Sequence, residues 1–208
     1  MIHAVIFDLG GVYFNDGTRL AIDAIATRYG IERQAVAGFL NGTAGADYRT
    51  GRVGVDQFWQ QAAALWHIQA SPEELSTLWC ESYQPNRGTV RLVERLKAAG
   101  HQILYLSDNT KERADYLEKK YGFLKVFDDG IFSHIVKRKK PDPVIYQLLL
   151  EKASHPAAAC VYIDDKPENL PPAQNLGMQV IPFSNAAQLE ADLAGLGLPM
   201  KASEPPCS

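Results

Sequence analysis

The stretch Ala4-Val5-Ile6-Phe7-Asp8-Leu9-Gly10-Gly11-Val12 decides how the rest of the chain is read. Four apolar residues rich in branched side chains, broken by a carboxylate and then by paired glycines, describe a short buried strand entering a tight loop. In an open α/β sheet, ligands bind beyond the carboxyl ends of the strands, which is where this reading puts Asp8. Gly10 and Gly11 would let the backbone approach a phosphate or substrate closely. Asp8 alone is equally compatible with a turn cap. The other strands separate the two readings.

Two further buried strands end in polar groups. Ile103-Leu104-Tyr105-Leu106 runs into Ser107-Asp108-Asn109, and Val161-Tyr162-Ile163 runs into Asp164-Asp165. Short strands at Ile131-Phe132 and Val180-Ile181 alternate with helical stretches, which specifies a parallel, doubly wound α/β sheet. All strand ends of such a sheet lie along one edge, so Asp8, Ser107 and Asp164-Asp165 are expected to meet. Carboxylates gathered in this way repel one another unless a cation neutralises them. A hard cation such as Mg²⁺, held by few carboxylates and completed by water and phosphate oxygens, is the economical partner. A lysine from the loop Lys137-Arg138-Lys139-Lys140 would neutralise a bound phosphate or the nucleophile.

The segment between the first two strands is different. From about 15 to 84 it reads as helices and loops without a strand, far more than one crossover needs. Leu20, Ile22, Ile25 and Tyr29 form one helical stripe, and Val36, Phe39 and Leu40 another. Asn41 to Gly45 reads as a loop, and Phe58, Ala62, Leu65 and Trp66 share a helical face. Ser71-Pro72-Glu73-Glu74 is a helix start with serine cap, proline and glutamate. The expected organisation is therefore a catalytic core from residues 1–14 and 85–200, a helical cap over 15–84, and a disordered polar tail at 201–208.

FDLGGV, LYLSDN, KKPDPVIY and VYIDDKPEN, in this order, resemble the four motifs of the haloacid dehalogenase superfamily, in particular phosphatases with a helical cap inserted after the first strand. The resemblance runs to about Leu198. It implies a Rossmann-like core and makes Asp8 the nucleophile that becomes a phosphoaspartate. It implies phosphoryl binding by Ser107 with Asp108, Asn109 and the loop amides of Gly10 and Gly11. It puts the motif lysine at Lys140, the Mg²⁺ ligands at Asp8, Asp165, Asp164 and the Gly10 carbonyl, and a bracing role at Asn169. The chain departs from the family pattern in two places. Gly10 stands where phosphatases of the family usually carry a second aspartate as general acid and base. Superfamily members with such an Asp-Leu-Gly loop, the α-D-glucose-1-phosphate phosphatases among them, are regarded as active. Pro171-Pro172 is expected to shorten the helix after Asn169.

The expectation is thus a Mg²⁺-dependent phosphatase acting on a small phosphorylated metabolite, with sugar phosphates suggested by the resemblance. Dehalogenation and a non-catalytic binding role, the latter prompted by Gly10, stand as alternatives. Net charge −3, with 46% hydrophobic and 22% charged residues, gives no footprint for nucleic acid or an anionic membrane. Three cysteines without paired spacing suit a reducing compartment, and the short N-terminal apolar run does not read as a secretory leader, so the expected location is cytoplasmic. Arg49 and Arg52 are read as cap-loop arginines available to a substrate, against the plainer reading of solvated side chains. Trp66 and Trp79 fit core stripes, whereas Trp59 falls beside one and is a candidate to face the cleft.

Overall fold

The computed structural model describes residues 1–198, so the expected tail at 201–208 lies outside the described residues. β1 (Ala4–Phe7) is the central strand of a five-stranded, all-parallel sheet. Then come α1 (Gly17–Tyr29), α2 (Arg33–Asn41), α3 (Thr43–Arg49), α4 (Val55–Trp66) and α5 (Pro72–Glu81), followed by α6 (Arg87–Ala98), which leads into β2 (Gln102–Ser107). α7 (Lys111–Tyr121), β3 (Asp129–Phe132), α8 (Ser133–Val136) and α9 (Pro143–Lys152) precede β4 (Cys160–Asp164), and α10 (Leu170–Asn175), β5 (Gln179–Pro182) and α11 (Ala186–Gly195) complete the described chain. The strand order is β3-β2-β1-β4-β5.

β1 is flanked on both sides, Val5 pairing with Ile103 and with Val161. Its residues are all buried, which is why the strand reads as a continuous apolar run rather than an alternating one. Period two still divides it. Val5 and Phe7 belong to the core shared with the helices between β1 and β2, and Ala4 and Ile6 to the core under Ile145, Tyr146 and Leu149 of α9. Each fully buried Val, Ile or Phe contributes about 1.5–3 kcal/mol relative to exposure.

The start of α5 agrees with its sequence, because the Ser71 hydroxyl accepts the Glu74 N–H and Pro72 opens the helix. Elsewhere the structure corrects the expectation. Asn41 to Gly45 is no loop, since α3 begins at Thr43. Cβ atoms at Gly42 and Gly45 would come within 2.4 Å of the Gly38 carbonyl and 1.8 Å of the Leu40 carbonyl. The glycines allow two helices to meet at a sharp corner, a use that composition does not distinguish from a loop. Leu65 is 59% exposed and Trp59 is fully buried, so the inward face of α4 is Phe58, Trp59, Ala62 and Trp66. Trp59 therefore packs in the core, edge-on to Phe58 and Trp79, and does not face a cleft. Leu20 likewise lies on the exposed side of α1. α9 starts at Pro143, capped by Asp142, and α11 is capped by Asn185, which accepts the Gln188 N–H. The Pro171-Pro172 pair sits in the first turn of α10, a helix of six residues.

Candidate active site

β1, β2 and β4 run parallel in adjacent positions, so their carboxyl ends bring Asp8, Ser107 and Asp164-Asp165 to one edge. The Asp8 N–H continues the ladder by donating to the Ile163 carbonyl at 2.8 Å. Asp8 Oδ1 accepts the Leu9 N–H and lies 2.7 Å from Lys140 Nζ. Asp8 Oδ2 has no hydrogen bond among the described residues and is the oxygen left for chemistry.

Lys140 is buried, and its ammonium also contacts Asp164 Oδ2 at 2.7 Å and the Leu106 carbonyl at 3.3 Å. Burial opposes its charge, but Asp164, Asp8 and Asp108 outweigh burial and hold it above the ordinary lysine range. The Asp164 carboxylate is surrounded by donors: Lys140, the Tyr162 hydroxyl, the Lys166 N–H and Asn169 Nδ2. Burial opposes the Asp164 charge too, yet Lys140 above all, then Tyr162 and Lys166, keep its carboxyl below the usual range. Asn169 thus braces Asp164, and its own carbonyl accepts the Tyr146 hydroxyl at 2.8 Å.

Asp8 is under the opposite pressure. Burial, with Asp164 and Asp165 adding repulsion against the pull of Lys140, pushes its carboxyl up to about 8. Burial and Asp164 also raise Asp165. Asp165 Oδ1 is buried without a hydrogen-bond partner. An orphaned carboxylate oxygen in a crowd of acids is the arrangement a divalent cation would relieve. Asp8, Asp164 and Asp165 each bring one oxygen within 4.8 Å of the others. The residues therefore fit a hard cation, with Asp165 and Asp8 as the carboxylates least committed elsewhere.

The two glycines have different roles. Gly11 has φ +95°, and a Cβ there would lie 2.3 Å from Asp165 Oδ2. Gly10 has no positive φ, and its Cβ would meet only Tyr83 Cε1 at 3.6 Å. Gly11→Ala is therefore expected to lower the melting midpoint by several degrees, about 2–4 °C for each kcal/mol in a chain this long, whereas Gly10→Ala stays close to the parent. Equal midpoints in a thermal melt would remove the distinction.

Ser107, Asp108 and Asn109 follow β2 and line a cavity of about 520 Å³ together with Asp8, Lys140 and Asp165. Asp108 Oδ1 accepts the Lys140 N–H at 3.0 Å, and Asn109 Oδ1 accepts the Thr110 N–H at 3.0 Å, so both side chains hold the loop. The helices between β1 and β2 line the other side. Arg49, at the end of α3, reaches the cavity, whereas Arg52 is exposed and paired with Asp47 at 3.1 Å outside it. No histidine is among the described residues of this lining.

Sequence reading missed Arg113 and Tyr83. Arg113 is 3% exposed and bonds Asn109 Oδ1, the Tyr83 hydroxyl and the Asp108 carbonyl. It stands four residues after Asn109, one helical turn on, so spacing alone pointed to it. Tyr83 follows α5 and carries no comparable signal.

A model of haloacid dehalogenase-like hydrolases matches residues 2–177. The sesquiterpene phosphatase astK of Aspergillus oryzae is 24% identical over 183 residues, 84% of this chain and 86% of that protein. The drimenol cyclase drtB of Aspergillus calidoustus is 26% identical over 200 residues, 94% of this chain, which spans only 37% of that cyclase's length. Among solved structures, the HAD family enzyme bt-2542 of Bacteroides thetaiotaomicron, in complex with magnesium and inorganic phosphate, superposes with a TM-score of 0.73 at 19% identity, covering 89% of this chain and 96% of that one. The shared sheet, the strand-end carboxylates and a family match over most of its length agree: this chain belongs to the haloacid dehalogenase-like hydrolases.

Proposed function

We propose that the protein is a Mg²⁺-dependent phosphatase that hydrolyses a small phosphorylated metabolite through an aspartyl phosphate. The observation that carries this reading is the orphaned, buried Asp165 Oδ1 beside Asp8 and Lys140 in one cavity. A dehalogenase attacking carbon needs no metal and so has little use for an added carboxylate. The phosphatase named among the relatives, and the neighbour that holds magnesium and phosphate, agree with the reading.

In this mechanism Asp8 Oδ2 attacks phosphorus as the leaving-group oxygen departs, and water then cleaves the acyl phosphate to release inorganic phosphate and restore Asp8. Lys140 holds Asp8 Oδ1 in place and keeps positive charge beside the nucleophile. The Ser107 hydroxyl and the loop amides after Asp8 supply donors for the equatorial oxygens. Asp164 acts through Lys140, fixing its ammonium. Asp8, Asp165 and the Gly10 carbonyl would hold Mg²⁺, which when bound neutralises the carboxylates and polarises the phosphoryl group. Helices α1–α5 screen the cavity from water and meet the leaving group.

Hydrolysis of p-nitrophenyl phosphate with and without Mg²⁺ tests this directly. Asp165→Asn is expected to raise the Mg²⁺ concentration giving half-maximal rate roughly 10–100-fold, the range seen when a metal site loses supporting contacts. An unchanged metal requirement would remove Asp165 from the site, and no hydrolysis at any Mg²⁺ concentration would leave the non-catalytic reading. Sugar phosphates form the first substrate panel, and sesquiterpenyl phosphates, after the Aspergillus oryzae relative, the second.

A further inference from the structure

On the cap side of the cavity two guanidinium groups face one indole. The Arg49 guanidinium carbon lies 5.2 Å from the Trp79 ring centroid and that of Arg113 lies 4.6 Å from it. Arg113 also stands 4.7 Å from the Tyr83 ring. The indole is fixed in turn, since Trp79 Nε1 donates to Thr18 Oγ1 at 3.2 Å and Thr18 shares a hydrogen bond of 2.7 Å with the Tyr83 hydroxyl.

The hydrogen bonds of both arginines go to neutral acceptors. Arg49 Nη1 donates to the Leu40 carbonyl at 2.7 Å, and Arg113 to an amide oxygen, a phenol and a carbonyl. Neither has a carboxylate in ion-pair contact among the described residues, although the more exposed Arg28, Arg33 and Arg52 each do. Tyr83, Asp108 and Asp16 pull the Arg49 charge the other way without compensating it: burial, then Arg113 close by, lower its guanidinium to about 10. Holding two like charges against one indole, one of them on a buried side chain, is costly unless an anion arrives to offset them. The chain is net negative, yet Lys and Arg outnumber Asp and Glu in the cavity lining.

We propose that Arg49 and Arg113, set against Trp79, form a second anion subsite that takes an acidic group on the leaving-group side of the substrate. The substrate class is then small phosphate esters that carry a second negative group, either a carboxylate or another phosphoryl group. This assignment rests on the phosphatase reading for its reacting end, whereas the subsite itself is a binding property that can be measured without turnover.

The test compares native protein with Arg49→Met and Arg49→Lys, with MgCl₂ in excess of ligand. Binding of phosphonoacetate, methylenediphosphonate and methylphosphonate by calorimetry reads the subsite. Phosphonoacetate presents the carboxylate, methylenediphosphonate the second phosphoryl group, and methylphosphonate neither. At least one of the first two is expected to bind tenfold or more tightly than methylphosphonate, and Arg49→Met to abolish that preference while Arg49→Lys restores part of it. In turnover, Arg49→Met is expected to lower kcat/KM for phosphoglycolate at least tenfold more than for p-nitrophenyl phosphate, mainly through KM. Equal affinity for all three phosphonates, or a preference that survives Arg49→Met, would overturn the subsite and leave the phosphatase reading standing. Selective, Arg49-dependent binding without hydrolysis of any ester would establish the subsite and refute the phosphatase reading.

Discussion

Asp8→Asn is expected to abolish phosphatase turnover, with a loss of roughly 10³-fold or more, as when a nucleophile is removed from a machinery that acts as a unit. The same substitution is expected to leave the fold at least as stable as the parent. Asp8, Asp164 and Asp165 crowd one ammonium group, and burial already raises the Asp8 carboxyl to about 8. An amide of the same shape keeps an oxygen for Lys140 and the Leu9 N–H while removing one of the repelling charges. A thermal melt should therefore show a midpoint no more than about 3 °C below that of the parent, the shift that about 1 kcal/mol gives in a chain of this length. Retention of a tenth of the parent rate would rule out the covalent route. A large fall in midpoint would mean that activity was lost through unfolding, and that the pair with Lys140 is structural.

Gly10→Asp is expected to increase activity on poor leaving groups. A chain with glycine at this position must protonate the departing alkoxide and activate the attacking water by other means, and a placed acid-base group is typically worth about 10²–10⁴-fold. The backbone permits the change. Gly10 lacks positive φ, and the new Cβ would meet only the Tyr83 ring at ordinary contact distance. The rate on glucose 1-phosphate should rise by about 10²-fold, the lower end of that range. p-Nitrophenyl phosphate should change little, since its leaving group needs no proton. If the folded variant showed the same leaving-group sensitivity as the parent, another group in the cavity would already be moving the proton.

The sheet and its site-bearing ends were legible for a simple physical reason. A strand buried on both faces has no polar alternation, so Asp8, Ser107 and Asp164 stand out as the first polar residues after apolar runs. What lies across the cavity was not legible in the same way. Arg49 reads as a loop arginine because Gly42 and Gly45 look like punctuation, yet they form the corner between α2 and α3. Trp59 was placed at the edge of a stripe by periodicity, but α4 is covered by neighbours on a wider arc than one stripe. Tyr83 meets Arg113 only through tertiary packing between the segment after α5 and α7, which no local spacing encodes.

The sheet order puts the first strand in the middle, with partners that arrive much later along the chain. Phe14 is bridged to Pro85, so the helical insertion begins and ends at one point. That juncture shortens the effective loop that β1 must close to reach β2, and loop closure is what makes distant pairing slow. Even so, Asp8 and Lys140 reach their full set of partners only when β4 has docked, because Asp164 is its last residue. On the proposed mechanism, a chain that lacks β4 therefore presents the nucleophile without its metal carboxylate and with its lysine unanchored.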